Sequence, residues 1–379
     1  MKLEGLRVID LSMFLPGPYL TLAMADHGAE VVKIEPPGIG DPGREIGPVE
    51  GSSTVFFRNL NRGKRSVTLD LKTAAGHEAL LKLCETADVF VEGFRPGVMA
   101  RLGIDYAAVS ARNPRIVYCS ISAFGQDGPY VQRPAHDLAV EALSGALSIN
   151  LGSDGQPAIP GLPVADIVSS LQALSGVLMA LYRRETTGRG DYLDISMHDC
   201  ILAASPNVAG SVFAEKRDYV AKDQRSLGGS AFYQIYQTKD GRHLVLGGQE
   251  IKFVRNLLGR LERTDFVPLC EAGPGPHQKP LIDFLRETFR SKTLAQWEQW
   301  FDGMDVCFAP VKTLREGYDD DHAQARAMVL IDEHGREQLA PAIRFSNEPA
   351  RPNLREPALG GDTEAVLESG WLADRKRPR

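Results

Sequence analysis

Three patterns that would assign this chain to a class at once are missing: paired cysteines, a glycine fingerprint for dinucleotides and an excess of basic charge. The five cysteines, Cys84, Cys119, Cys200, Cys270 and Cys307, are widely scattered, with no CxxC pair and an odd total. That excludes a disulfide framework and offers no zinc-ligand spacing. It reads as reduced, mostly buried thiols in a cytoplasmic protein, and no metal site is expected. Lys and Arg number 43 against 49 Asp and Glu, a formal net charge of -6. With no basic excess to neutralise a phosphate backbone, no nucleic-acid partner is expected. The longest apolar stretches, such as residues 173–182, are interrupted too early to span a bilayer, so no membrane segment is expected. The opening MKLEGLRVIDLS enters a strand-like run directly and has no signal-peptide core.

What is present is an ordinary globular composition, 43% hydrophobic and 24% charged, over 379 residues. That length is long for one core and implies two domains. Short apolar runs at residues 6–11, 30–34, 66–71, 88–92 and 116–121 read as strands, with helical spacing at 19–27 and 73–86 between them. Alternation of this kind predicts βαβ units and a Rossmann-like, largely parallel sheet whose strands are covered on both faces. No GxGxxG follows the first strand, so dinucleotide binding has no support. A long apolar helix is expected over 168–185 and a further strand over 192–196. From about residue 215 the character changes. Residues 215–226 read as a linker and 227–321 as a smaller α+β domain. It opens with a hairpin around Asp240-Gly241, continues with helices at 252–261, 281–289 and 294–301, and ends with a strand at 306–311 returning towards the first domain. Residues 1–214 and 322–379, the latter an extended proline-punctuated tail, are expected to form the large domain.

The segment PAHDLAVEALSGALSINLGSDGQPAIPGLPVADIVSS, from Pro134 to Ser170, carries the strongest chemical signal. His136 and Asp166 stand among apolar and small residues. Brought together in a cleft, a histidine and a carboxylate take and return protons near neutral pH. Asp137 and Asp199 are read either as catalytic auxiliaries or as helix caps. Arg62, Lys64 and Arg65 surround Gly63 just before a strand, either as a loop for a nucleotide diphosphate or as a solvated basic turn. Arg95, in Phe94-Arg95-Pro96-Gly97, follows the fourth strand at the edge where open α/β sheets bind ligands, or is a surface residue of a turn.

The stretches VIDLSMFLPGPYLTLAMADHGAEVVKIEPPG, NLNRGKRSVTLDLK, DVFVEGFRPGVMARLG, NPRIVYCSISAFGQDGP, GLPVADI and DGMDVCFAPVKTLREG resemble the family III CoA-transferases. That family includes carnitine and formyl-CoA transferases and the α-methylacyl-CoA racemases. The resemblance runs from residue 3 to about residue 367. It implies a chain folded as an open ring, two rings interlocked as a homodimer, and an acyl-CoA substrate. Coenzyme A enters only as part of that substrate, with no metal or redox cofactor. Asp166 matches the family's catalytic aspartate, a nucleophile in transferases and an acid/base group in racemases. His136 stands where racemases have their histidine, and Glu250 matches the glutamate that supports it. Leu69, Lys72 and Arg101 match positions at the nucleotide end of CoA.

Leu15-Pro16-Gly17-Pro18 and the shortened Gly228-Gly229 loop also look racemase-like. Ala135, in place of the racemase glycine, and Gly161-Leu162-Pro163 look transferase-like, and Pro36 replaces a CoA-contacting arginine. The expected activity is proton exchange at C2 of an acyl-CoA, with backbone N–H groups after Pro163 stabilising the enolate. The alternative is CoA transfer between carboxylic acids through Asp166.

Overall fold

A computed structural model describes residues 1–152 and 154–372. These fall into two units. Residues Met1–Leu147, Ile159–Ser205 and those from Asp321 onward form the first; Ser148–Ala158 and Pro206–Asp320 form the second. Residues 206–214, expected in the large domain, and 215–226, expected as a linker, both belong to the second unit. The end of the expected large domain, 373–379, lies outside the described residues.

The first unit is built on six parallel strands: β1 (Arg7–Asp10), β2 (Glu30–Glu35), β3 (Arg65–Thr68), β4 (Val89–Glu92), β5 (Val117–Ser122) and β6 (Tyr192–Ser196). Their spatial order is β3-β2-β1-β4-β5-β6, with Ile9 of β1 paired to Val32 on one side and Phe90 on the other. β4 and β5 are buried along their whole length, as strands must be when helices cover both faces. The helices are α1 (Pro16–Asp26), α2 (Ala74–Cys84), α3 (Tyr106–Arg112), α4 (Asp137–Leu143), α5 (Val164–Thr187) and α6 (Met197–Ala203). α1 starts at a proline, whose missing N–H is no loss in a first turn. One core joins α2 and α3 to the sheet through Leu80, Val109 and Tyr118. The other joins α1 and α5 through Leu20, Val91 and Val177.

α5 begins four residues earlier than its spacing suggested and runs for 24 residues to Gly188, which takes the left-handed conformation at φ 69°. By length and composition it is apolar enough to cross a membrane, which corrects the expectation that every apolar stretch ends too early. Here its inner face, including Ala165, Ala173 and Val177, is fully buried. Near its end Arg184 donates to the Asp88 carboxylate at 2.9 Å, both groups buried. Much of the expected tail is extended, but it also contains a hairpin (Val329–Ile331 with Glu337–Leu339) and a helix, Thr363–Ser369. At that helix Thr68 N donates to Thr363 Oγ1 at 3.0 Å, closing part of the β3 edge.

The second unit holds an antiparallel sheet of β7 (Gln234–Gln237), β8 (His243–Leu246) and β9 (Phe308–Pro310), ordered β9-β8-β7. Helices Ile251–Arg260, Lys279–Phe289 and Leu294–Phe301 pack on it around Leu257, Phe289 and Trp297. The strand expected at 306–311 forms over Phe308–Pro310, within the second unit. It pairs with β8, Val245 facing Ala309, because that apolar run completes the small sheet's own core.

Arg184→Leu removes the buried guanidinium that lies 2.9 Å from the buried Asp88 carboxylate. It is expected to cost about 3–5 kcal/mol in urea unfolding, with part recovered by adding Asp88→Asn.

Candidate active site

The strand order reverses between β1 and β4, and at such a point the carboxyl edge of a parallel sheet leaves a crevice. Beneath it lies a floor of buried charge. Asp10, at the end of β1, accepts from Thr21 Oγ1 at 2.7 Å and from Lys64 Nζ at 3.0 Å. Lys33 Nζ donates to the Ser12 carbonyl at 2.8 Å and lies 2.9 Å from Asp41. Burial opposes ionisation of Asp10, yet Lys64 and Lys33 hold its carboxyl well below the usual range. On this floor the chain turns through Phe14, whose φ of 62° is left-handed and costs a non-glycine residue roughly 1–3 kcal/mol. Asp41 Oδ1 secures the turn by accepting from Phe14 N at 3.3 Å. The Phe14 ring stands edge-on to the His136 imidazole, centroids 6.0 Å apart at 81°.

His136 is exposed and occupies the N-cap position of α4; Asp137 is the first residue of that helix. Asp166 is in the first turn of α5, partly buried. Pro163 gives α5 no side-chain cap, so its orphan amides are met by α4 instead. Asp166 N donates to Asp137 Oδ1 at 3.1 Å, and Val164 N donates to Glu141 Oε1 at 3.1 Å. Three carboxyl groups thereby share one small region. Burial first, then the charges of Asp137 and Glu141, push the Asp166 carboxyl up to about 7. Burial and Asp137 also raise Glu141, against the pull of the Val164 and Ala165 amides. The expectation that backbone N–H groups after Pro163 face the substrate is corrected here: those of Val164 and Asp166 are already bonded to α4 carboxylates.

The three cations around Gly63 are turned inward, which corrects their reading as ligands of a nucleotide diphosphate. Arg62 Nη2 donates to Asp26 Oδ2 at 2.6 Å, and Lys64 Nζ to Asp10, Asn61 and the Pro18 carbonyl. Arg65 Nη1 donates to Glu30 Oε1 at 2.8 Å. Each charge is matched by a buried or partly buried carboxylate, so none is left for a phosphate. By contrast Lys72, Arg95 and Arg101 are exposed beyond the carboxyl ends of β3 and β4, while Leu69 is buried at the end of β3. The turn before Arg95 is fixed by Glu92, which accepts from Phe94 N at 2.7 Å and which burial raises to about 7. Asp199 lies in the first turn of α6, 3.3 Å from His198. Glu250 lies in the second unit, exposed at the N-cap of the helix Ile251–Arg260.

Two residues escaped sequence reasoning. Glu141 was legible as the i+4 partner of Asp137 on one helix face, but its bond to Val164 depends on how α4 meets α5. Phe14 left no signal, because its residue type does not favour the left-handed backbone it adopts and the Asp41 that bonds to its N–H is distant in sequence.

A family model described as CoA-transferase family III matches residues 3–363. The chain is 34% identical to the α-methylacyl-CoA racemase of Homo sapiens, over 97% of this chain and 93% of that protein. It is 31% identical to the human succinyl-CoA:glutarate CoA-transferase, over 97% and 85% respectively. Among solved structures, a CAIB/BAIF family protein from Brucella suis superposes with a TM-score of 0.85 at 29% identity, covering 97% of this chain and 98% of the other.

A carboxyl group that titrates near 7 when folded and near 3.8 when unfolded loses stability as pH rises between those values. Asp166→Asn cannot ionise. Its melting temperature is expected to exceed that of the parent protein by a margin that grows from pH 4 to about pH 7 and is constant above, as read by calorimetry.

Proposed function

The chain belongs to CoA-transferase family III, and from that premise we propose that it exchanges the proton at C2 of an acyl-CoA, as a racemase or epimerase of 2-methylacyl thioesters. The observation that carries this reading is Asp166. A carboxyl group held near 7 is present in both acid and base forms at neutral pH, as proton exchange requires. Its backbone amide is tied to Asp137, the residue after His136, which couples the two candidate proton carriers through one helix start.

In this reading the His136 imidazole removes the C2 proton, leaving an enolate and an imidazolium. Protonated Asp166 then delivers its proton to the opposite face of C2, giving the inverted thioester and an aspartate carboxylate. Exchange with water restores both groups, so nothing else is consumed. Glu250 keeps, as part of this proposal, the supporting role that family resemblance implies for it. Exposed Lys72, Arg95 and Arg101 are assigned to the phosphates of CoA, with Leu69 beside its nucleotide end. Each would contribute charge-assisted hydrogen bonds or packing at the edge of the crevice. Coenzyme A is part of the substrate, and the steps as written require no other cofactor. The exposed apolar side chains Leu171, Leu178, Met179 and Tyr182 on α5 support assembly with a second copy, proposed as an interlocked homodimer.

A second reading, CoA transfer between two carboxylic acids, is favoured by the likeness to the human succinyl-CoA:glutarate CoA-transferase. There the ionised Asp166 oxygen attacks the thioester carbonyl and the C–S bond breaks, giving a mixed anhydride and CoA thiolate. The thiolate attacks the Asp166 carbonyl, releasing the donor carboxylate and leaving an aspartyl-CoA thioester. The acceptor carboxylate displaces thiolate from that thioester, and thiolate attack on the acceptor's carbonyl of the new anhydride gives the acceptor's CoA thioester and free Asp166.

Incubation with a 2-methylacyl-CoA in deuterated water is expected to place deuterium at C2, and Asp166→Asn to slow incorporation by ~10²-fold or more. Absence of deuterium, with hydroxylamine converting Asp166 to its hydroxamate during turnover in the presence of an acceptor acid, would replace the first reading by the second.

A further inference from the structure

We infer that Glu141 is a positioning residue for Asp166: with Asp137 it occupies the amide donors of the first turn of α5, so the aspartate stands beside two acidic groups instead of in the field of free helix N–H groups. The inference rests on the reading of Asp166 as the reacting carboxyl and says how that carboxyl is kept ready to donate a proton.

The amides account for themselves one by one. Val164 N donates to Glu141 at 3.1 Å and Asp166 N to Asp137 at 3.1 Å. The Ala165 amide also acts on Glu141, and Ile167 N donates to the Pro163 carbonyl at 3.1 Å. A carboxylate in the first turn of a helix is ordinarily stabilised by such donors. Here the stabilisation goes to the α4 carboxylates, and Asp166 receives their negative charge in return. Glu141 is only 2% exposed, so solvent does little to screen that charge.

Nothing cationic on the neighbouring elements reverses the effect. α1, α4, α6, β5 and β6 carry no Lys or Arg. His136 caps α4, and His198 is 3.3 Å from Asp199 on α6. Asp26 of α1 is held by Arg62, and Asp194 of β6 accepts from Gln126 N at 2.9 Å. The other titratable side chains on these elements are Tyr19, Tyr118, Cys119, Tyr192 and Cys200. On α5 itself, Arg183, Arg184 and Glu185 stand at the far end.

Glu141→Gln keeps an oxygen for the Val164 amide while removing the charge. The probe is the carboxyl carbon-13 resonance of Asp166 in aspartate-labelled protein, identified by its loss in Asp166→Asn. In E141Q its titration midpoint is expected to fall by about one unit, a tenfold change in the ratio of acid to base forms. The pH limb of C2 exchange that depends on Asp166 is expected to move by the same amount. An unchanged midpoint would overturn the inference, and Glu141→Asn provides a second variant if E141Q does not fold. A shifted midpoint in a protein with no exchange activity would instead leave this inference standing and remove the proton-exchange reading.

Discussion

Two hydrogen bonds between α4 and α5 decide most of what this active site can do. Asp137 and Glu141 bond to the first turn of α5, and in doing so they seat Asp166 and surround it with like charge. A longest helix without its own cap needs such partners, since each buried amide left unmet costs about 1–3 kcal/mol. Stability and reactivity therefore share one source. The carboxylates that complete the helix add their charge to burial, the larger cause, in keeping the Asp166 proton in place up to about pH 7.

The opposite arrangement holds a few residues away in the same unit. Under the turn after β1, buried carboxylates are matched by buried or partly buried cations, Asp10 with Lys64 and Glu35 with Arg44. This floor holds the left-handed Phe14 turn against His136 and contributes no group to the chemistry. One half of the crevice thus has its buried charges paired, and the other gathers three carboxyl groups with, among the described residues, no cation between them. Proton exchange next to a thioester needs that contrast: fixed geometry, with a carboxyl that is not already a fully formed anion.

The alternation of short apolar runs with helical spacing carried the parallel sheet into view, and Tyr192–Ser196 forms a strand over the residues expected. Legibility failed where partners distant in sequence intervene. Arg62, Lys64 and Arg65 looked like an anion-binding loop because the sequence cannot show that Asp26, Asp10 and Glu30 fold against them. The start of α5 was placed late because its cap comes from another helix. The run near 306–311 was placed in the smaller domain, but its partner β8 was not legible, because apolar strands carry no address beyond their pairing partner. His136, Asp137 and Asp166 were visible as residue types in an apolar context. Glu141 was visible as the i+4 partner of Asp137, but its bond to Val164 was not, because that depends on how α4 meets α5.

The most direct measurement follows one enantiomer of a 2-methylacyl-CoA by chiral analysis, with an equimolar carboxylic acid present as potential acceptor. The account predicts conversion to an equal mixture of the two enantiomers with the acceptor unconsumed. An unchanged enantiomer together with appearance of the acceptor's CoA thioester would contradict it.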